Sequence, residues 1–384
     1  MSIDLVLTFI QFVGGVVGVC FALMVGTGFI SSLRYRTTKS GRRAEAVRIV
    51  IPTVAAERVR PALLETIDHT LDRFAEYELY CVVDEGSDLQ AELEAREDLT
   101  TVVVPAAYEC DAVAKGRAMH YFIETVVDNA PEYWYAFLDD DNRILDDDWL
   151  YEIPHYEDRG YGAMNPVLVP RAGRSLVTFM ADHIRFVDDI TVYRLFTGVL
   201  GRPYLGFHGE LLCARGDVLR EIGFDRRTNV EDFAFALELV DRSIPVWQSS
   251  TRVSVLSPHD VTAFLKQRSR WYLGIIRYLD RAPRVSKAVV GFRMGLWSLA
   301  VTSSWLFIPV WILGYGHVFP LWMLALLLGG TVVYLVTMGL GSLRVGGLTG
   351  AGLLLLTPVY ATLEHMVPLY ALWTDEREFV VIEK

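Results

Sequence analysis

Between residues 5 and 30 the chain carries no charged side chain, and that run limits what it can fold into more than any other feature. It is longer than the ~20 apolar residues a helix needs to cross a hydrocarbon core. A secretory leader has a shorter apolar stretch, ~7–15 residues, with a basic segment before it and a small-residue cleavage site after it. Here Asp4 precedes the run and no A-x-A site follows. Residues 1–33 therefore read as a retained transmembrane anchor. Arg34, Arg36, Lys39, Arg42 and Arg43 come next, and the positive-inside rule puts the N-terminus outside and the chain beyond Arg34 in the cytoplasm.

Three more apolar segments, about 294–315, 318–340 and 350–373, form a C-terminal membrane region over 290–373. The first two read as a helical hairpin, with Arg281, Arg284, Lys287 and Arg293 before it on the cytoplasmic side. The third carries Glu364 and His365 between Pro358 and Pro368. An ionisable pair at membrane depth is costly unless it faces protein or water, so this segment either spans or lies partly in the interface. Three full crossings would carry the tail, 374–384, to the far side from the central region.

These ends explain how a chain with a mean hydropathy of +0.29 can also be 22% charged, with a net charge of −11. The acids lie mostly in the central region, 46–280. Lysine occurs only at 39, 115, 266, 287 and 384, so arginine supplies 31 of the 36 basic residues. That bias suits a salt-rich cytoplasm and follows equally from genome composition. An acidic chain lacks the basic face that phosphate neutralisation needs, which argues against nucleic acid as a partner. Cys20, Cys81, Cys110 and Cys213 show no C-x-x-C spacing, so neither disulfides nor a zinc site is expected.

The central region alternates strand-like and helix-like pieces: strands at 47–51, 79–83, 101–104 and 133–138, and helices at 61–77 and 112–127. Such alternation implies an α/β unit with a mostly parallel sheet covered by helices. Ligands then bind beyond the carboxyl ends of the strands. After the second strand comes Asp84-Glu85-Gly86-Ser87-Asp88, either an ordinary turn or carboxylates that accept from a nucleobase and ribose. After the fourth comes Asp139-Asp140-Asp141-Asn142. Three consecutive carboxylates repel unless a cation is shared, and hard oxygen ligands suit Mg2+ or Mn2+ bridging a diphosphate. The nearby Asp146-Asp147-Asp148 reads as a solvated acidic loop.

Asn229-Val230-Glu231-Asp232 opens an apolar helix at 233–240, where carboxylates are explained by the helix dipole or by a general base near an acceptor hydroxyl. In Gln267-Arg268-Ser269-Arg270-Trp271, the spacing puts Gln267, Arg270, Trp271 and Gly274 largely on one helical face. Arg268 and Arg277 fit a basic surface helix.

The order strand-Asp, strand-Asp-x-Asp, Glu-Asp, Gln-x-x-Arg-Trp, followed by membrane helices, strongly resembles the family 2 inverting glycosyltransferases with a Rossmann-like GT-A fold. The resemblance covers nearly the whole chain, including Phe379-Val380-Val381-Ile382-Glu383-Lys384, which looks like that group's closing segment. Gly206-Phe207-His208-Gly209, Val230-Glu231-Asp232 and the Gln267–Trp271 motif are most similar to egghead-type β-1,4-mannosyltransferases. Glu210 departs from that pattern, where a small or neutral residue is expected. Either the acceptor pocket is unusual or Glu210 touches an acceptor hydroxyl.

What the resemblance implies is specific. Pro52, Thr53, Asp84, Lys115, Asp139, Gln267, Arg270 and Trp271 bind the donor. Asp141 is the direct metal ligand, with Asp139 beside it nearer the ribose. Asp232 is the catalytic base, and His208, Glu231 and Trp271 lie on the acceptor side. The partners would be a nucleotide sugar, GDP-mannose before a UDP-sugar, a lipid-linked or glycan acceptor, and membrane lipids. A processive polysaccharide synthase of the hyaluronan or cellulose type shares the Gln-x-x-Arg-Trp motif but needs more membrane helices. A non-catalytic membrane protein with a nucleotide-sensing domain would need Asp232 only as a helix cap.

Overall fold

The computed structural model describes residues 3–301 and 321–374. In chain order the elements are α1 (Ile3–Arg34), β1 (Val47–Pro52), α2 (Arg60–Arg73), β2 (Glu78–Asp84), α3 (Gln90–Glu94), β3 (Thr100–Val104), α4 (Lys115–Thr125), β4 (Trp134–Leu138), β5 (Arg143–Ile144), α5 (Asp148–Glu157), β6 (Ala163–Arg171) and α6 (Leu176–Asp188). A π-helical segment, Asp189–Val199, continues α6. Then come β7 (Leu211–Arg215), α7 (Gly216–Ile222), α8 (Glu231–Asp241), β8 (Val246–Leu256), α9 (Val261–Tyr278), α10 (Arg284–Leu299), α11 (Leu321–Val345), α12 (Gly347–Leu355) and α13 (Thr357–Thr374). Of the expected hairpin at 294–315 and 318–340, residues 302–315 and 318–320 fall outside the described residues, as does the tail from 375 onward.

One eight-stranded sheet runs β3-β2-β1-β4-β7-β6-β8-β5. Its first four strands are parallel, whereas β7 is antiparallel to both β4 and β6, and β5 is antiparallel to β8. The sheet is therefore mixed but mostly parallel, as expected: β6 and β8 also pair in parallel, so that four of the seven strand pairings are parallel and only β7 and β5 run the other way. β4 explains why the centre is stable. Its five residues are all buried, with Trp134, Ala136 and Leu138 in one core cluster and Tyr135 and Phe137 in the other. A strand with a period of two and apolar residues throughout can only sit between two covered faces.

The register of β7 matters most for the site. Leu138 pairs with Leu211, so the loop just before β7 lies against the carboxyl end of β4. The β1, β2 and β4 strands end at that same edge.

The first apolar helix turns its glycines inward and most of its large side chains outward. On α1, Gly14, Gly15, Gly18 and Gly28 are buried while Phe9, Phe12, Leu23 and Ile30 are more than half exposed. At Gly28 a Cβ would come within 2.8 Å of the Thr191 carbonyl carbon, so the helix packs backbone to backbone on the π-helical segment. Apart from Leu176, Val199, Leu200 and Ile276, every exposed large apolar side chain among the described residues lies on α1 or beyond residue 284. By length and composition α1 can cross a membrane. The pair α12 and α13 counts as a second span only if its 54° bend is a break within one crossing.

Glu364 and His365 on α13 are buried, and Glu364 accepts from Arg268 Nε at 3.3 Å. The ionisable pair thus faces protein. Arg268 is only 2% exposed and also donates to Asp182, which corrects its reading as a surface cation.

Candidate active site

The sheet edge brings the motifs together through short contacts. At the end of β1, Pro52 is the last strand residue, and Thr53 donates its hydroxyl to Asp140 Oδ2 at 2.7 Å. That bond fastens the end of β1 to the loop after β4. At the end of β2, Asp84 receives Arg117, whose guanidinium also donates to the Pro105 carbonyl at 2.7 Å and the Tyr108 carbonyl at 3.2 Å. Arg117 has no motif signal beyond its place next to Lys115-Gly116, and sequence reasoning missed it.

Lys115, the first residue of α4, is the hub. Its ammonium donates to Asp139 Oδ1 at 2.5 Å and to the Gly209 carbonyl at 2.7 Å, and it lies 3.8 Å from Glu231. One side chain thus joins the Asp-x-Asp turn, the loop before β7 and the start of α8. Burial pulls its pKa down, but Asp139 and Glu231 outweigh burial and hold it above the ordinary lysine value. Burial raises the Glu231 carboxyl; Lys115 opposes the rise and Asp232 adds to it. Glu231 thus has the Lys115 ammonium on one side and its neighbour Asp232 as a like charge.

Asp232 is held by backbone. Its Oδ2 accepts from Gly209 N–H at 2.9 Å and its Oδ1 from Phe233 N–H at 2.7 Å. The loop needs glycine at two places for this. Gly206 has φ +107° with Phe233 packed 2.9 Å from where a Cβ would stand, and a Cβ on Gly209 would stand 3.0 Å from Asp232 Oδ2. Gly209→Ala should therefore push the carboxylate aside. We expect kcat to fall about tenfold with the unfolding temperature little changed, measured by turnover alongside thermal unfolding.

His208 is buried. Its Nε2 meets Asp189 Oδ1 at 2.5 Å and its backbone N–H donates to Asn165 Oδ1 at 2.8 Å. Asp189 Oδ2 in turn accepts from Leu168 N–H at 2.7 Å, so the π-helical segment sets the imidazole.

The motif on α9 faces these groups because the helix comes very close. A Cβ at Gly274 would fall 2.7 Å from Val230 Cγ1, so glycine lets α9 pack against the residue that opens α8, the helix that carries Asp232. Two guanidinium groups lie over the Trp271 ring, Arg268 at 4.4 Å and Arg185 at 4.9 Å from its centroid. Glu210 pairs with Arg185. Its backbone carbonyl accepts from Asp139 N–H at 3.3 Å and from Asn142 Nδ2 at 3.4 Å.

All twelve residues singled out in the sequence, Pro52, Thr53, Asp84, Lys115, Asp139, Asp141, His208, Glu231, Asp232, Gln267, Arg270 and Trp271, line one cavity of about 740 Å³. The same cavity reaches Gly14, Val17, Gly18 and Phe21 of α1 and Val290 and Met294 of α10. Among the described residues no group of three or more His, Cys, Asp or Glu could hold a metal ion. The carboxylates of Asp139 and Asp141 are a donor set of hard oxygens that fits Mg2+ or Mn2+, which usually binds through one or two carboxylates with substrate phosphates completing its shell.

No curated protein matches the chain by sequence. In fold it is similar to the mannosyltransferase PcManGT from Pyrobaculum calidifontis, solved in complex with GDP-Man and Mn2+, with a TM-score of 0.52 and 14% identity over 95% of this chain and 100% of that one. S. aureus TarS is more distant, with a TM-score of 0.37 and 11% identity over 84% of this chain and 55% of that one. Its segment 1–349, solved with UDP-GlcNAc, has a TM-score of 0.36 and 10% identity over 88% of this chain and 94% of that one. The model of the family described as glycosyl transferase family group 2 matches residues 134–340, over half of the 384, so the chain belongs to that family and is a glycosyltransferase.

Proposed function

We propose that the protein is a membrane-bound inverting glycosyltransferase that moves a sugar, mannose first among the choices, from a nucleoside-diphosphate donor to a lipid-linked or membrane-proximal glycan acceptor, forming a β-glycosidic bond. The observation that carries this reading is the single cavity, which runs from the carboxylates at the sheet edge to the glycine face of α1. A polar end and an apolar end in one space suit an acceptor with a sugar or other polar head and a hydrocarbon tail. The outward-facing large residues of α1 and of the chain beyond 284 suit lipid contact, where small residues turn inward to let helices approach. The catalytic domain is then cytoplasmic, next to the basic residues that follow α1.

The donor is a nucleotide sugar, GDP-mannose before a UDP-sugar, a preference resting on the egghead-type residues at 206–209. Asp84, with Arg117 against it, offers an acceptor and a donor to the base and ribose. Asp139 and Asp141 hold Mg2+ or Mn2+, which when bound supplies neutralisation of the diphosphate charge. Arg270 on α9 adds a fixed positive charge for the departing diphosphate, and Lys115 keeps Asp139 in place. Asp232 accepts the proton of the acceptor hydroxyl as that oxygen attacks the anomeric carbon. The C–O bond to the diphosphate breaks on the opposite face, and an α-linked donor gives a β-product. Pro52, Thr53 and Gln267 shape the donor end; His208, Glu231 and Trp271 shape the acceptor end.

Gly18→Leu tests the apolar end. A leucine there would narrow the cavity where α1 lines it, so the KM for a long-chain lipid acceptor should rise tenfold or more. The KM for the nucleotide sugar should stay within twofold. Unchanged kinetics toward both long- and short-chain acceptors would remove the tail from this cavity.

A further inference from the structure

Glu210 is the residue that fits no family pattern, and Arg185 lies opposite it with no motif of its own. Their side chains are only 13% and 12% exposed. A buried ion pair is weak evidence for stability, since desolvation offsets the attraction, so its place in the site needs another reason. Each end of the pair reaches a different motif. The Glu210 carbonyl takes Asp139 N–H and the Asn142 amide. The Arg185 guanidinium lies 4.9 Å from the Trp271 ring centroid, within the range of a cation–π contact. The other guanidinium over that ring, Arg268, is anchored to Asp182 of α6 and Glu364 of α13.

We propose that Glu210 and Arg185 are positioning residues that lock the Trp271 ring to the Asp-x-Asp turn, with Arg268 fixing the same ring to α6 and α13. The departure at 210 is then a brace joining the donor end to the acceptor end, and it touches no acceptor hydroxyl. The inference rests on the proposed placement of Trp271 at the acceptor end. Arg and Lys differ here because only the planar guanidinium can lie flat on an aromatic face while keeping its carboxylate.

The experiment is steady-state sugar transfer by the full-length protein in lipid nanodiscs, with GDP-mannose, Mn2+ and a glycolipid acceptor. If the wild type transfers no sugar from any nucleotide donor, the functional reading itself fails; the brace is tested on an active wild type. Arg185→Lys keeps the ion pair and loses the flat face. It should raise acceptor KM about tenfold, with donor KM within twofold and the unfolding temperature close to wild type. The same change in a Trp271→Leu background should add no further rise, because the coupling runs through the ring. Wild-type acceptor KM in Arg185→Lys, or a full tenfold rise on top of Trp271→Leu, overturns the inference. If Arg185→Lys unfolds early, the double variant Glu210→Gln/Arg185→Gln, which removes both buried charges together, decides: raised acceptor KM supports the brace and unchanged acceptor KM refutes it.

Discussion

Asp232→Asn should lower kcat on the order of 10²–10⁴-fold, the usual contribution of a positioned general base, while leaving the KM for the nucleotide sugar within a few-fold. The amide keeps the shape of the carboxylate and one acceptor oxygen for the Gly209 and Phe233 N–H groups that hold it. It cannot take the proton of the attacking hydroxyl. The loss of one backbone hydrogen bond costs about 1 kcal/mol of stability, so a folded, donor-binding and nearly inactive protein is expected. Thermal unfolding and donor binding measured beside transfer separate this outcome from simple misfolding. If Asp232 were only a helix cap, the same substitution would alter stability by a similar small amount and transfer hardly at all.

Asp141→Asn should have the second-largest effect. Asp141 is 5% exposed, and its backbone carbonyl is fixed by Arg171 Nη2 at 2.8 Å, so the turn should survive the change. On the proposed reading, what would be lost is one of two hard anionic ligands. A divalent cation at a phosphoryl oxygen is worth several kcal/mol to the transition state, and losing ~3 kcal/mol of that corresponds to roughly 10²-fold in rate. The variant should need far more Mn2+ for half-maximal rate. Activity that follows the wild-type Mn2+ titration would place the metal elsewhere. Asp139→Asn would be less clean, since it also releases Lys115 from its 2.5 Å contact.

Much of the site could be read from the sequence because its pieces sit where strands end. β1, β2 and β4 are runs of Val, Ile and aromatic residues with polar groups immediately after them, and period and punctuation find such strands well. In a parallel sheet those ends converge, so Thr53, Asp84 and Asp139 could be grouped without coordinates. The Gly274 spacing on α9 also carried real information, since the close approach to Val230 requires it.

The middle of the chain was opaque for a physical reason. Asp182, Asp188, Asp189 and Glu152 look like surface acids along the sequence, yet all four are buried. Their partners are Arg268, Arg293, His208 and, for Glu152, the Trp247 indole at 3.0 Å. These pairings span from 19 residues, for His208 and Asp189, to 105, for Arg293 and Asp188. Local periodicity cannot see them. Arg268 was misread for the same cause: a cation beside a membrane-facing helix looks solvated until Asp182 and Glu364 are brought to it. The antiparallel insertion of β7 is equally non-local, and it brings the Gly206–Glu210 loop to the edge where Asp139 and Asp232 lie.

The central claim is a single displacement with Asp232 as base, and the anomeric configuration of the product tests it most directly. Full-length protein in nanodiscs, given an α-linked nucleotide sugar, Mn2+ and a glycolipid acceptor, would be followed by NMR of the new glycosidic linkage. The account predicts a β-linkage from the wild type and almost no product from Asp232→Asn. An α-linkage, or undiminished transfer by Asp232→Asn, would contradict it.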